Sequence, residues 1–245
     1  MNGHFNRSAV VVGVGPSRGL GAALARRFAK EGLHVFMGGR TAEKLEQVAD
    51  EIRALGGQAT AVVTDATLER DVERLFNQVA QSHRIELVAY NVDRNASAPL
   101  LETGLGLFEQ LWRQNCLGGF LVGREAVRHM LPHRQGSLFF TGATASLRAR
   151  PPFTAFAAAK AGLRALAQGI ACEFGPQGIH VAHVIIDGVI DGDRAHAQFA
   201  ELVRAKGEDG LLKLDAVAET YWSLHCQHKS AWTHELDLRP YKEPF

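Results

Sequence analysis

The sequence predicts an α/β fold, a doubly wound parallel sheet of about seven strands in a single domain, residues 1–245. Three observations carry this. The run Val10-Val11-Val12 ends in a turn with glycines at Gly13, Gly15, Gly19 and Gly21, and Leu20, Leu24 and Phe28 then recur every fourth residue. That is a strand passing through a tight turn into a helix. Strand-type and helix-type segments go on alternating down the chain, a pattern that covers a parallel sheet with helices on both faces. Finally, 245 residues at 46% hydrophobic can bury one large core, and no repeat or Pro/Ser-rich linker divides them.

The elements follow in order. Gly32 fits the end of the first helix, and residues 34–37 form the second strand. Thr41 can cap a helix whose buried stripe is Leu45, Val48, Ile52 and Leu55, stopped by Gly56-Gly57. Residues 59–63 are the third strand. Leu68, Val72, Leu75, Phe76 and Val79 mark the third helix, and residues 85–90 the fourth strand. A long helix is expected over 105–130, ending before Pro132, then a fifth strand at 137–141. A loop carrying Arg148, Arg150, Pro151 and Pro152 leads to a helix at 154–174 and a sixth strand at 179–186. Helices are expected near 195–205 and 215–225, and the last strand comes from the weakly patterned C-terminal region. In such a fold ligands bind beyond the carboxyl ends of the strands.

Composition narrows the function. A formal net charge of +1 leaves no electrostatic footprint for nucleic acid or a membrane surface. Cys116, Cys172 and Cys226 lie far apart without C-x-x-C spacing and read as free thiols. The start, M-N-G-H-F-N-R-S, carries no apolar leader-like run, and no apolar stretch approaches a membrane span. A cytoplasmic protein is expected.

The glycine-rich turn is the centre of the functional reading. The helix that starts near Gly19 points unpaired N–H groups and its positive dipole end at the turn, which suits a pyrophosphate. The fingerprint G-x-G-x-x-G would need glycine where the chain has Arg18. Gly15, Gly19 and Gly21 instead form G-x-x-x-G-x-G, which resembles the short-chain dehydrogenase/reductase family, with Val14 where that family usually has threonine. The resemblance runs over roughly residues 8–190 and implies a Rossmann-like nucleotide-binding domain. It places cofactor contacts at Gly15, Ser17, Arg18, Gly19, Leu20 and Gly21 in the turn. Further contacts are implied at Arg40, Asp65 (near the adenine), Asn91 and Lys160. Gly188, Val189 and Ile190 follow the sixth strand, with backbone groups for the nicotinamide amide.

At the end of the second strand, Met37-Gly38-Gly39-Arg40-Thr41 offers no acid to a ribose 2′-hydroxyl. Arg40 and Arg18 present guanidinium groups instead, which favours NADP(H) over NAD(H), unless both are merely solvated. In the stretch after the fourth strand the family's N-N-A-G becomes Tyr90-Asn91-Val92-Asp93, and its Pro-Gly after the sixth strand becomes Asp187-Gly188.

The resemblance also implies a catalytic Asn, Ser, Tyr and Lys, the last two spaced Y-x-x-x-K so that they share one helix face. Here that stretch is Phe156-Ala157-Ala158-Ala159-Lys160, the serine position is Ala143, and Asn115 matches the asparagine. Lysine and asparagine are kept, and both hydroxyls are gone. Thr144 is a possible stand-in; Thr141 and Ser146 are close to it, Tyr90 ends the fourth strand, and Asp93, His183 and Asp187 are titratable groups at strand ends. His129/His133, interrupted by Pro132, and His225/His228, with no third ligand at sensible spacing, do not make a metal site. Two readings stand. One is an NADP(H)-dependent oxidoreductase acting on a small carbonyl, alcohol or activated C=C with atypical proton delivery. The other is an inactive nucleotide-binding sensor or subunit partner. The substrate is not legible; Arg148 and Arg150 either meet an anionic group or solvate a loop. A homodimer or homotetramer is expected through the helices at 105–130 and 154–174.

Overall fold

A computed structural model describes residues 6–243. Residues 1–5, part of the stretch read as lacking a leader, and the last two residues of the tail lie outside it. The strands are β1 Asn6–Val12, β2 His34–Gly39, β3 Gln58–Val63, β4 His83–Tyr90, β5 Gly136–Ala143, β6 Ile179–Ile186 and β7 Glu235–Leu238. They form one sheet in the order β3-β2-β1-β4-β5-β6-β7, every pairing parallel. Strand order reverses between β1 and β4, and that reversal opens a crevice at their carboxyl ends.

Central strands of such a sheet are buried on both faces, so they read as unbroken apolar runs. In β1, Ala9 and Val11 face one core while Val10 and Val12 face the other. The first core takes α1 Leu20–Lys30, α2 Ala42–Ala54 and α9 Leu214–His225. The second takes α3 Glu69–Ala80, α5 Gly118–Met130 and α6 Thr154–Phe174. Gly32 and Gly56 close α1 and α2 at φ +83° and +82°, conformations that favour glycine. Thr41 stands at the N-cap of α2, but its side chain makes no capping hydrogen bond.

Two expected helices are interrupted. The segment 105–130 is α4 Leu105–Trp112, a π-helical turn Arg113–Leu117, and α5. The cause is Tyr90, whose hydroxyl donates to the Gln114 carbonyl at 2.5 Å, inserting a side chain into the helix ladder. Gly118 leaves room for it, since a Cβ there would lie 2.4 Å from the phenol oxygen. The segment 195–205 is α7 Asp193–Gln198 and α8 Ala200–Lys206, broken at Phe199 (φ −137°, ψ 39°). Among the described residues, no helix is long and apolar enough to cross a membrane.

Candidate active site

A cavity of about 860 Å³ opens at the carboxyl ends of the strands. One end is built by the glycine-rich turn. Gly21 lets α1 start against the turn, because a Cβ there would meet the Gly13 carbonyl oxygen at 2.5 Å. Gly15 faces the cavity with nothing within 4 Å of where a Cβ would stand. The N-cap of α1 is Gly19, and its first turn holds no acidic residue, so the orphan N–H groups there have no side-chain acceptor among the described residues. Gly19 and Leu20 line the cavity as well. This arrangement suits a pyrophosphate.

The two arginines behave differently. Arg40 lines the cavity beyond β2, exposed and without an ion pair among the described residues. Lys44, in the first turn of α2, lines it too and was not picked out from sequence. Arg18 is drawn instead toward the loop after β6, with Asp191 at 3.6 Å and Asp193 at 3.9 Å. Ser17, expected to touch the cofactor, does not line the cavity. Its hydroxyl donates to Glu51 at 2.7 Å, and its carbonyl accepts from Arg26 at 2.9 Å, which turns it toward α2.

Asp65 lines the cavity and shapes the turn before α3, accepting from the Thr67 backbone N–H at 2.9 Å and hydroxyl at 2.8 Å. Asn91 lines it too, its amide reaching the Gly13 carbonyl at 3.3 Å. Gly188, Val189 and Ile190 form the opposite wall. The Val189 carbonyl accepts from Leu212 N–H, and the Ile190 carbonyl from Gly192 N–H, both at 2.9 Å.

At the other end Lys160 reaches in from α6, its side chain 1% exposed. The ammonium donates to the Thr141 carbonyl at 3.1 Å, pairs with Asp93 at 3.2 Å, and sits 5.8 Å from the centre of the Phe156 ring. Asp93 also takes Arg194 of α7 at 2.9 Å. Burial alone would raise the Asp93 carboxyl, but Lys160 and Arg194 outweigh it and hold the group below its ordinary range. Asn115 is not brought to the cavity. It is fully buried and clamps the loop after β4 to α4, accepting from Arg94 N–H and donating to the Arg94 and Leu111 carbonyls.

Ala143 and Phe156 line the cavity without a hydroxyl between them. Each sequence-derived stand-in is already committed. Thr144 lines the wall and donates its hydroxyl to Asp187. Asp187 is buried and also accepts from Arg148 at 3.2 Å and from Arg239. Ser146 accepts the Ala143 N–H at 3.1 Å. Thr141 shares a 2.7 Å hydrogen bond with Tyr221, behind the sheet. Burial pushes the Tyr90 phenol well above its ordinary range, beneath the π-helical turn. His183 is fully buried, its Nδ1 3.0 Å from Glu235 and its Nε2 without a hydrogen-bond partner among the described residues; desolvation lowers it from 6.5 to about 4. A Cβ at Gly142 would lie 2.3 Å from that Nε2, so the imidazole is under the β5 backbone and away from the cavity wall. Of the histidine pairs read from sequence, His129 stacks on Phe76 and His225 lies 2.9 Å from the Ser137 hydroxyl, while His133 and His228 are exposed.

Residues 9–202 match the family model described as short chain dehydrogenase. The chain belongs to the short-chain dehydrogenase family. The chain is 37% identical over 196 residues to the uncharacterized oxidoreductase YuxG of Bacillus subtilis, covering 77% of the chain but 28% of that protein. It is 30% identical over 171 residues to gluconate 5-dehydrogenase of Gluconobacter oxydans, covering 68% of the chain and 66% of the relative. A short-chain dehydrogenase from Rhodopseudomonas palustris superposes with a TM-score of 0.83 at 42% identity, over 96% of this chain and 99% of that one. Actinorhodin polyketide ketoreductase, solved with NADPH, superposes at 0.87 over 98% of each chain; at 20% identity it shows the shared fold.

The residues present fit the dinucleotide cofactor this family takes. The turn and the N-terminus of α1 would hold the pyrophosphate, Lys160 the nicotinamide ribose, and Arg40 with Lys44 the adenine-ribose end.

Proposed function

We propose that this chain is an NADP(H)-dependent oxidoreductase whose cavity supplies no proton of its own. The observation that carries the reading is the contrast inside one wall. Lys160 is in place, while every hydroxyl and titratable side chain considered beside it is already paired or buried away. When bound, the cofactor supplies or accepts the hydride. Arg40 and Lys44 favour the 2′-phosphorylated form by charge and by guanidinium geometry. A positioned general acid is worth on the order of 10²–10⁴ in rate, so ordinary ketone reduction is slow here unless water supplies the proton. An activated C=C asks less of the wall, because the carbanion left by hydride addition takes its proton from solvent.

A second reading, a nucleotide-binding partner or sensor without turnover, is favoured by Ala143 and Phe156 alone. One experiment separates the two. NADPH and NADH are titrated against the protein, and absorbance is then followed with paired ketones and enones. NADPH binding tighter than NADH, with enones consumed faster than ketones, supports the oxidoreductase. Tight NADPH binding with no consumption supports the second reading. Equal affinities for the two cofactors defeat the arginine argument.

We propose that the chain assembles through the outer faces of α5 and α6. Between them lies an apolar groove of about 320 Å³ lined by Phe120, Val127, Leu166, Ile170 and Phe174. A homodimer or homotetramer through these helices would cover it, and sedimentation of a monomer at micromolar concentration would refute that. Three free thiols suit a reducing, cytoplasmic setting.

A further inference from the structure

The cavity carries more positive charge than a dinucleotide needs at the place where the dinucleotide would bind. Among the described residues its walls present seven cationic side chains and two acidic ones. Arg18, Arg40 and Lys44 belong to the glycine-turn end. At the Lys160 end stand Arg148, Arg150, Lys160 and Arg194, with Asp93 the one acidic wall residue. Asp93 is already divided between Lys160 and Arg194. Arg148 shares Asp187 with Arg239, and its Nε is buried with no hydrogen-bond partner among the described residues. Arg150 is exposed, lines the cavity, and makes no side-chain ion pair or hydrogen bond among the described residues. Its loop is fixed rather than loose. The Arg150 carbonyl accepts from Phe153 N–H at 2.8 Å, and the Pro152 carbonyl from Ala98 N–H at 3.0 Å. The same end is walled by Phe153, Phe156, Phe199 and Leu202.

An uncompensated guanidinium at the rim of an apolar cleft concentrates field lines and attracts an anion. A planar fork with several donors recognises a carboxylate better than a point charge does. We propose that the substrate is a carboxylate on a largely apolar carbon skeleton, and that Arg150 reads that carboxylate at the cavity rim with Arg148 behind it. This rests on the oxidoreductase reading for its chemistry, but the charge preference itself is a property of the wall.

The test uses 4-benzoylbutyrate and 4-benzoylbutanamide, which share a skeleton and differ in charge. Binding is measured by calorimetry on the full chain loaded with NADP⁺, where a ketone forms no product, and again without cofactor. The acid should bind about tenfold more tightly than the amide, the scale of one charge-assisted hydrogen bond. Arg150→Ala should bring that ratio close to one while leaving NADP⁺ affinity within about twofold. Arg150→Lys should keep part of the ratio, and Arg150→Glu should invert it. Equal binding of acid and amide by the unmodified protein, or binding of neither, overturns the proposal. A ratio untouched by Arg150→Ala overturns the assignment to Arg150. Failure to load NADP⁺ counts against the oxidoreductase reading instead, and the comparison on cofactor-free protein then still decides the charge preference.

Discussion

The two ends of the cavity are organised on opposite principles. At the glycine-turn end, the orphan N–H groups of α1, Arg40 and Lys44 have no internal acceptor among the described residues. At the Lys160 end, Lys160, Asp93, Thr144 and Asp187 satisfy one another or the backbone. Donors left unpaired are organised for a ligand that brings the acceptors. Donors spent internally hold a shape. The first end should therefore respond to mutation through affinity; at the second, Asp93, Thr144 and Asp187 should respond through stability and geometry, with Lys160 and Arg150, unpaired among the described residues, as the groups left to meet a ligand.

The largest expected effect tests the shaped end. His183 is neutral and buried beneath Gly142, lowered from 6.5 to about 4 by desolvation. The unfolded chain takes up that proton first as pH falls through 6.5, so stability present above 6.5 is lost progressively down to about 4. The loss amounts to about 3 kcal/mol. Unfolding free energy measured across that range should fall steeply. His183→Asn, which keeps a donor near Nδ1 for Glu235, should flatten the slope; an unchanged slope would assign the acid sensitivity elsewhere.

Next comes Lys160→Ala, expected to weaken NADPH by about 2 kcal/mol, roughly thirtyfold, by removing a charged donor from the ribose position. Unchanged affinity in a fluorescence titration would mean that this lysine, like the groups paired around it, serves the fold alone. Arg40→Asp should weaken NADPH by roughly tenfold and bring NADH level with it or ahead, because a carboxylate repels a 2′-phosphate and accepts from a 2′-hydroxyl. Arg18→Ala should do less, since Arg18 already leans on Asp191 and Asp193. The smallest expected change in affinity sharpens the comparison. Phe156→Tyr with Ala143→Ser should leave NADPH binding within about threefold and raise ketone reduction. Slower turnover in that variant would show that a specific acid already works in the site.

The layered fold was legible because its signals are local: apolar runs for doubly covered strands, fourfold spacing for helix faces, glycine at closing turns. Gly15, Gly21, Arg40 and Lys160 were legible for the same reason, each lying within a short motif. What escaped is long-range pairing. Nothing near Asp93 in sequence announces Arg194, 101 residues away, and nothing near Thr144 announces Asp187, 43 away. Ser17 sits inside a correctly read motif, yet its hydroxyl is claimed by Glu51 on a neighbouring helix. The π-helical turn escaped because it comes from a tyrosine on a strand reaching a helical carbonyl, which no helix periodicity encodes.

Asp187 joins three separated segments: the turn after β5 through Thr144 and Arg148, the end of β6, and the chain beyond β7 through Arg239. The backbone repeats the tie, with Asp187 N–H donating to the Leu238 carbonyl at 2.8 Å. β7 is four residues long, at the sheet edge, and pairs with β6 alone. The least regular part of the chain thus sets the position of the wall around Thr144. Drift in that tail can retune which molecules fit the cavity while β1 to β6 and the glycine turn stay as they are. The cofactor scaffold and the specificity of the pocket are thereby free to evolve at different rates.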